Sequence, residues 1–174
     1  MAAQVHRIKV VNDVSDLVPI LRAVDSPLRL KLVHRLGEEW LTADDIEREF
    51  GPEGMRALSF FEKLRLIDTR WVAREGRRQP EKSYHFYYSN ININTTSPLA
   101  EISEVLAIAT MSPKEYARLE QRIYDAVGAD GRFFSDVAEE LAMSPTRLKG
   151  LVKRSEKLEY RGHRIERFQA GTEA

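Results

Sequence analysis

The chain has 174 residues, enough for one domain or two small ones, and a hydrophobic share of 43% supports packed cores without suggesting a membrane protein. Lys plus Arg equals Asp plus Glu at 27 each, so bulk charge attracts no nucleic acid and any such binding has to come from local patches. The lack of cysteine excludes disulfides and thiolate metal sites, and the lack of a signal-like start or a long apolar run predicts a soluble, cytoplasmic protein.

In chain order, residues 5–11 (VHRIKVV) are β-prone and predict a short first strand. Leu17, Ile20, Leu21 and Val24 then recur at helical spacing over 16–24. Ser26-Pro27 restarts the chain as cap and first helical residue of a second helix, with Leu28, Leu32 and Leu36 as its buried stripe and Gly37 as its C-terminal cap. Both helices are expected to support the motif after them. Residues 41–64 read as a helix-turn-helix: Ile46 and Phe50 lie four apart on one short helix, and Leu58, Phe61 and Leu64 recur every three residues on the next. Gly51-Pro52 supplies the turn, since glycine takes the left-handed conformation and proline cannot extend the first helix's hydrogen-bond ladder. Strand-prone stretches at 67–74 and 83–94 flank the polar loop Glu75-Gly76-Arg77-Arg78-Gln79-Pro80, a hairpin wing. The alternation over 84–94 predicts one long second strand, with Asn90, Asn92 and Asn94 on a solvated face.

Thr95-Thr96-Ser97-Pro98 is a linker and helix start, with Ser97 as N-cap. Leu99, Ile102, Val105, Leu106 and Ala109 stripe the helix it opens. Ser112-Pro113-Lys114-Glu115 begins another, continued by Tyr116, Leu119, Ile123 and Val127. A second helix-turn-helix covers 135–152: Val137, Ala138 and Leu141 face inward, Ala142 begins the turn, Ser144-Pro145 restarts the chain, and Leu148, Leu151 and Val152 anchor the second helix. Residues 159–165 form a miniature wing with Gly162 in its turn. The fold expected is mainly α with small β wings: tandem winged helix-turn-helix domains over 1–96 and 129–174, joined by a helical segment over 97–128.

The run 23–36 (AVDSPLRLKLVHRL) resembles the arginine-containing support helix of ArsR-type winged-helix transcriptional regulators, particularly archaeal members. Thr42-Ala43-Asp44-Asp45-Ile46 matches the position of that family's first motif helix, ALSFFEKL over 57–64 its recognition helix, and the hairpin its wing. The resemblance covers roughly 16–88. It implies binding to double-stranded DNA and a homodimer built on the helices of 98–127, although intrachain packing of the same stripes is physically as acceptable. With no cysteine present, thiolate sensing of metals is not carried over.

Local charge selects the candidate contacts. Residues 38–53 hold seven carboxylates against Arg48 alone and should repel phosphates. The wing counters them with Arg70, Arg74, Arg77, Arg78 and Lys82 against Glu75 and Glu81. The most basic segment is 144–167, with Arg147, Lys149, Lys153, Arg154, Lys157, Arg161, Arg164 and Arg167 against three carboxylates. The expected DNA contacts are therefore Arg56, Ser59 and Lys63 on the first recognition helix, Arg74, Arg77, Arg78 and Lys82 in its wing, and Thr146, Arg147, Lys149, Lys153 and Arg164 in the second motif. Edge-protecting charges on the wing and a solvated basic face on a packing module are the plainer alternatives. No phosphate loop, dinucleotide fingerprint or HExxH pair occurs, and His6, His34, His85 and His163 have no ligand spacing, so neither an enzyme nor a cofactor or metal site is expected. Two functions fit: a dimeric, sequence-specific DNA-binding transcriptional regulator, or a tandem winged-helix module for protein–protein contacts in a chromosome-maintenance or transcription complex.

Overall fold

The computed structural model describes residues 7–73, 76 and 78–168. Its elements in chain order are β1 (Ile8–Val11), a 3-10 turn (Val14–Asp16), α1 (Leu17–Ala23), α2 (Pro27–Glu38), β2 (Leu41–Thr42), α3 (Ala43–Lys63), β3 (Ile67–Val72), β4 (Glu81–Phe86), β5 (Asn90–Ile93), α4 (Leu99–Thr110), α5 (Pro113–Val127), β6 (Arg132–Phe133), α6 (Phe134–Leu141), α7 (Pro145–Arg154), β7 (Leu158–Arg161) and β8 (Arg164–Arg167). The architecture is mainly helical with small antiparallel hairpin sheets. Contacts divide it into two units: residues up to Val10 with Ala23–Ile93, and Val11–Arg22 with the chain from Asn94 onward. Among the described residues no helix is long and apolar enough to cross a membrane.

In the first unit, Ser26 caps α2 by accepting from Arg29 N, and Leu32 and Leu36 are buried. The helix runs through Gly37 to Glu38, where Glu39 N still donates to Arg35 O; the expected cap at Gly37 is corrected, because that last hydrogen bond carries the helix past it. Thr42 and Asp45 close a capping box at the start of α3, satisfying backbone donors at both positions. At Gly51 the backbone leaves the helix (φ 66°, ψ −162°), and this is the turn between the motif's two helices. The halves pack closely: a Cβ placed on Gly54 would lie 2.3 Å from Phe50 Cβ. Ile46, Leu58 and Phe61 join Leu32, Leu36 and Leu66 in one core, roofed by the sheet β2-β4-β3.

The strand expected over 84–94 is in fact two. β4 ends at Phe86, Tyr87 N turns to donate to Leu66 O at 2.8 Å, and β5 pairs with β1 instead. Alternation alone cannot register that change of partner, because both segments keep strand periodicity.

The second unit repeats the same order of parts: helix α5, short strand β6, helices α6 and α7, then the hairpin β7–β8, with sheet order β6-β8-β7. Ser112 caps α5 through Glu115 N, and Ser144 caps α7 through Arg147 N. Ala142, with φ 50°, ends α6 in the left-handed conformation. Leu119, Ile123, Val137, Leu148, Leu151 and Ile165 share its core. Two expectations are corrected here. Val14 and Val18, rather than Leu21 and Val24, are buried: Val14 lies in the 3-10 turn capped by Asp13, α1 ends at Ala23 before Val24, and the segment joins the second core, not the first. Helix α4 begins at Leu99 with Pro98 at its N-cap position, while the Ser97 hydroxyl pairs with Thr95 at 3.2 Å.

Candidate nucleic-acid interface

The second half of α3 is fixed in rotation by Ala57, Leu58, Phe60 and Phe61, all buried. Residues 56, 59 and 63 share the opposite side, at the spacing of one helical face. Arg56 and Ser59 are exposed there and Lys63 is half-buried. Ser59 Oγ donates to Met55 O at 3.1 Å, which holds the hydroxyl on the helix surface. The predicted trio of the first recognition helix is thus brought together.

The hairpin is tied to the same helix. Lys82 Nζ lies 3.0 Å from Glu62 Oε1 and 5.4 Å above the Tyr84 ring. Burial, then the negative charge of Glu62, raises the Tyr84 hydroxyl, which stays neutral and packed. On the other side of the hairpin Arg70 lies 4.1 Å above Trp40, which stacks on His85 at 5.1 Å. Arg78 is exposed near the tip, and Arg74 and Arg77 lie outside the described residues. Trp71 is 71% exposed on β3, an aromatic that charge counting overlooked although it stands in a polar run.

The acidic stretch before the turn is less repulsive than its composition suggests. Arg35 donates to both oxygens of Glu49 and pairs with Glu39, Lys31 Nζ is 3.6 Å from Glu49, and Arg48 pairs with Asp45. Hydrogen bonding from Arg35 holds the Glu49 carboxyl below the usual carboxylate range. Cations of α2 therefore answer part of the charge on the first half of α3.

The basic segment of the second unit is engaged almost throughout. Lys149 Nζ pairs with Asp13 at 3.1 Å; Lys153 Nζ pairs with Asp16 at 2.6 Å and donates to Ser15 Oγ at 2.7 Å. Arg154 is buried, donating to Ile108 O at 2.6 Å with its guanidinium over Tyr116. Lys157 faces Glu120, and Arg161 pairs with Glu159 and Glu166. Arg164 donates to Asp130 O and Gly131 O and covers Phe133, and Arg167 donates to Tyr124 O and covers that ring. Among the described residues of this set, Arg147 alone has no such partner; it and Thr146 are half-buried at the start of α7. Helix α7 is enclosed over much of its surface, with Leu148, Gly150, Leu151, Val152 and Arg154 buried; a Cβ on Gly150 would meet Ile108 Cδ1 at 2.8 Å and Val18 Cγ2 at 3.5 Å. Burial works to raise the Asp13 carboxyl, but hydrogen bonds from Ser15, the charge of Lys153 and a hydrogen bond from Lys149 outweigh it and hold the group at about 2. Nothing in the local pattern of 13–18 signals that it covers a helix more than a hundred residues away.

Among the described residues no group of His, Asp and Glu is arranged to hold a metal ion. A family model described as ArsR transcriptional regulator matches residues 11–169, a span that takes in α1 through β8. The searches of curated proteins and of solved structures give no match.

Proposed function

The chain belongs to the ArsR family of transcriptional regulators, and from that premise we propose that it reads double-stranded DNA sequence-specifically, as a homodimer, through its first helix-turn-helix and wing. The observation that carries this reading is the difference between the two motifs. Arg56 and Ser59 are exposed and Lys63 half-buried on a helix whose far side is buried, beside a hairpin on which Arg70 and Arg78 are exposed. In the second motif the cations other than Arg147 are engaged, by Asp13, Asp16, Glu120 and backbone carbonyls among others, and α7 is covered by the 3-10 turn and α4. We assign that motif, a second winged helix in its order of parts, to holding the protein together and presenting α4.

Homodimer formation is supported by α4, which carries two apolar faces. Val105 and Ile108 enter the core of the second unit, while Leu99, Ile102 and Leu106 stay exposed, and a helix that is apolar on both sides calls for a second covering surface. The stripe of α5 offers nothing further, since Leu119, Ile123 and Val127 are already buried within their own unit.

The test is selection of genomic fragments by the purified protein, followed by anisotropy on the enriched sequence. Arg56→Glu with Lys63→Glu should abolish selective binding, and Arg147→Glu, at a residue without an ion-pair partner among the described residues, should leave it within about twofold, a change of under ~0.5 kcal/mol. The reverse pattern would transfer DNA reading to the second motif, and no enrichment by the wild type would refute the proposal.

A further inference from the structure

The wing places one large apolar side chain where the rest of its surface is polar. Trp71 sits opposite Lys82 in the β3–β4 register, and the next pairs on the same side of the hairpin are Thr69 with Tyr84 and Ile67 with Phe86. Tyr84 is buried, and Ile67 and Phe86 pack against the core of the first unit, so that side of the hairpin faces α3. Lys82 reaches Glu62 of α3 from the same side. Trp71 is the following position toward the tip, beyond the edge of the core, and 71% of its surface is exposed. It also stands on β3, the edge strand of the sheet β2-β4-β3, where a protein guarding against edge pairing places charges rather than an indole.

Resting on the reading that the first unit binds DNA, we propose that Trp71 is a DNA-contacting residue of the wing, packing its indole on the sugar walls and base edges of the minor groove beside the recognition helix. Charge complementarity names the occupant. Arg78 is exposed near the tip of the same hairpin and attracts phosphate, whereas an apolar protein partner covering the tip would have to bury it without compensation. The chemistry of the contact differs from that of its neighbours. Arginine and lysine contribute through counterion release, which depends steeply on salt; a flat aromatic contributes through contact and partial unstacking, which does not.

Two measurements on random-sequence duplex DNA test this. The chain has two tryptophans, and Trp40 is held between Arg70 and His85, so the Trp40→Phe variant leaves Trp71 as the sole emitter. Its emission should change on saturation with the duplex. Trp71→Ala should weaken binding roughly tenfold with an unchanged slope of log affinity against log salt, Trp71→Phe should recover most of the loss, and Arg78→Ala should instead flatten the slope by about 0.9. Circular dichroism of each variant guards against a folding defect. If wild-type protein binds the duplex while Trp71 emission and the affinity of Trp71→Ala stay unchanged, the indole lies outside the interface and the inference is overturned with DNA binding intact. A loss in Trp71→Ala accompanied by a flatter slope would also overturn it, by showing that the indole merely positions cations. Wild-type protein that binds no duplex would instead remove the DNA-binding reading on which the inference stands.

Discussion

Gly54 decides how closely the two halves of α3 approach. A methyl group there would press on Phe50 Cβ at 2.3 Å, and Phe50 cannot swing that atom aside because it is fixed to the backbone. Gly54→Ala is expected to destabilise the first unit by about 1–3 kcal/mol, the range for overpacking a close contact, read as a lower urea midpoint. Gly37 is the control: it lies in helix α2 with nothing within 4 Å of where a methyl group would sit, so Gly37→Ala should raise stability by roughly 0.5–1 kcal/mol. Equal effects at the two positions would disprove the packing argument. Asp13 gives a pH-dependent counterpart in the second unit. Its carboxyl is lowered from 3.8 to about 2 on folding, so its contribution is complete above about pH 4 and is lost as pH falls toward 2. The side chain is 39% exposed, and solvent screening keeps that contribution below about 1 kcal/mol. Asp13→Asn should therefore lower the urea midpoint slightly at neutral pH, with the gap to wild type closing below pH 4; a gap that persists unchanged would attribute the loss to the Asp13–Ser15 cap geometry instead.

At the scale of elements, α4 and α5 look alike as apolar stripes and behave differently. Ile102 and Leu106 are 41% and 56% exposed, while Leu119 and Ile123 are buried. Ile102→Glu with Leu106→Glu should give a folded monomer by light scattering, whereas Leu119→Glu should unfold the second unit, with loss of helical circular dichroism, because the charge would enter a packed core. A double variant that keeps the mass of the wild type would exclude α4 as the dimer helix. The sequence located nearly every helix, both turns and both hairpins, since periodicity, the caps at Ser26, Ser112 and Ser144, and the breaks at Gly51 and Ala142 are local signals. What it missed is the choice of partners. Whether a stripe is covered by its own unit, whether 90–93 stays with β4 or pairs with β1, and whether Lys149 faces solvent or Asp13 depend on residues far apart in the chain. Helical spacing located the shared face of Arg56, Ser59 and Lys63 on α3 but not the pairing of Lys149 and Lys153 on α7, because it shows which face is apolar and not what lies over the other one.

Across the whole molecule the chain does not complete one unit before starting the next. Residues 11–22 belong to the second unit, 23–93 to the first, and the chain then returns to the second. This order sets a timetable during synthesis. The first unit has all of its sequence from Ala23 onward once Ile93 is free, but Val18 must wait for Leu148, about 130 residues later, which at roughly 5–20 residues per second is on the order of 6 to 26 s. Over about the last 55 residues of that wait, roughly 3 to 11 s, the nascent protein carries a complete first unit and an apolar N-terminal segment still lacking its site, and it is in this window, rather than in the finished protein, that Val14 and Val18 are open to a chaperone.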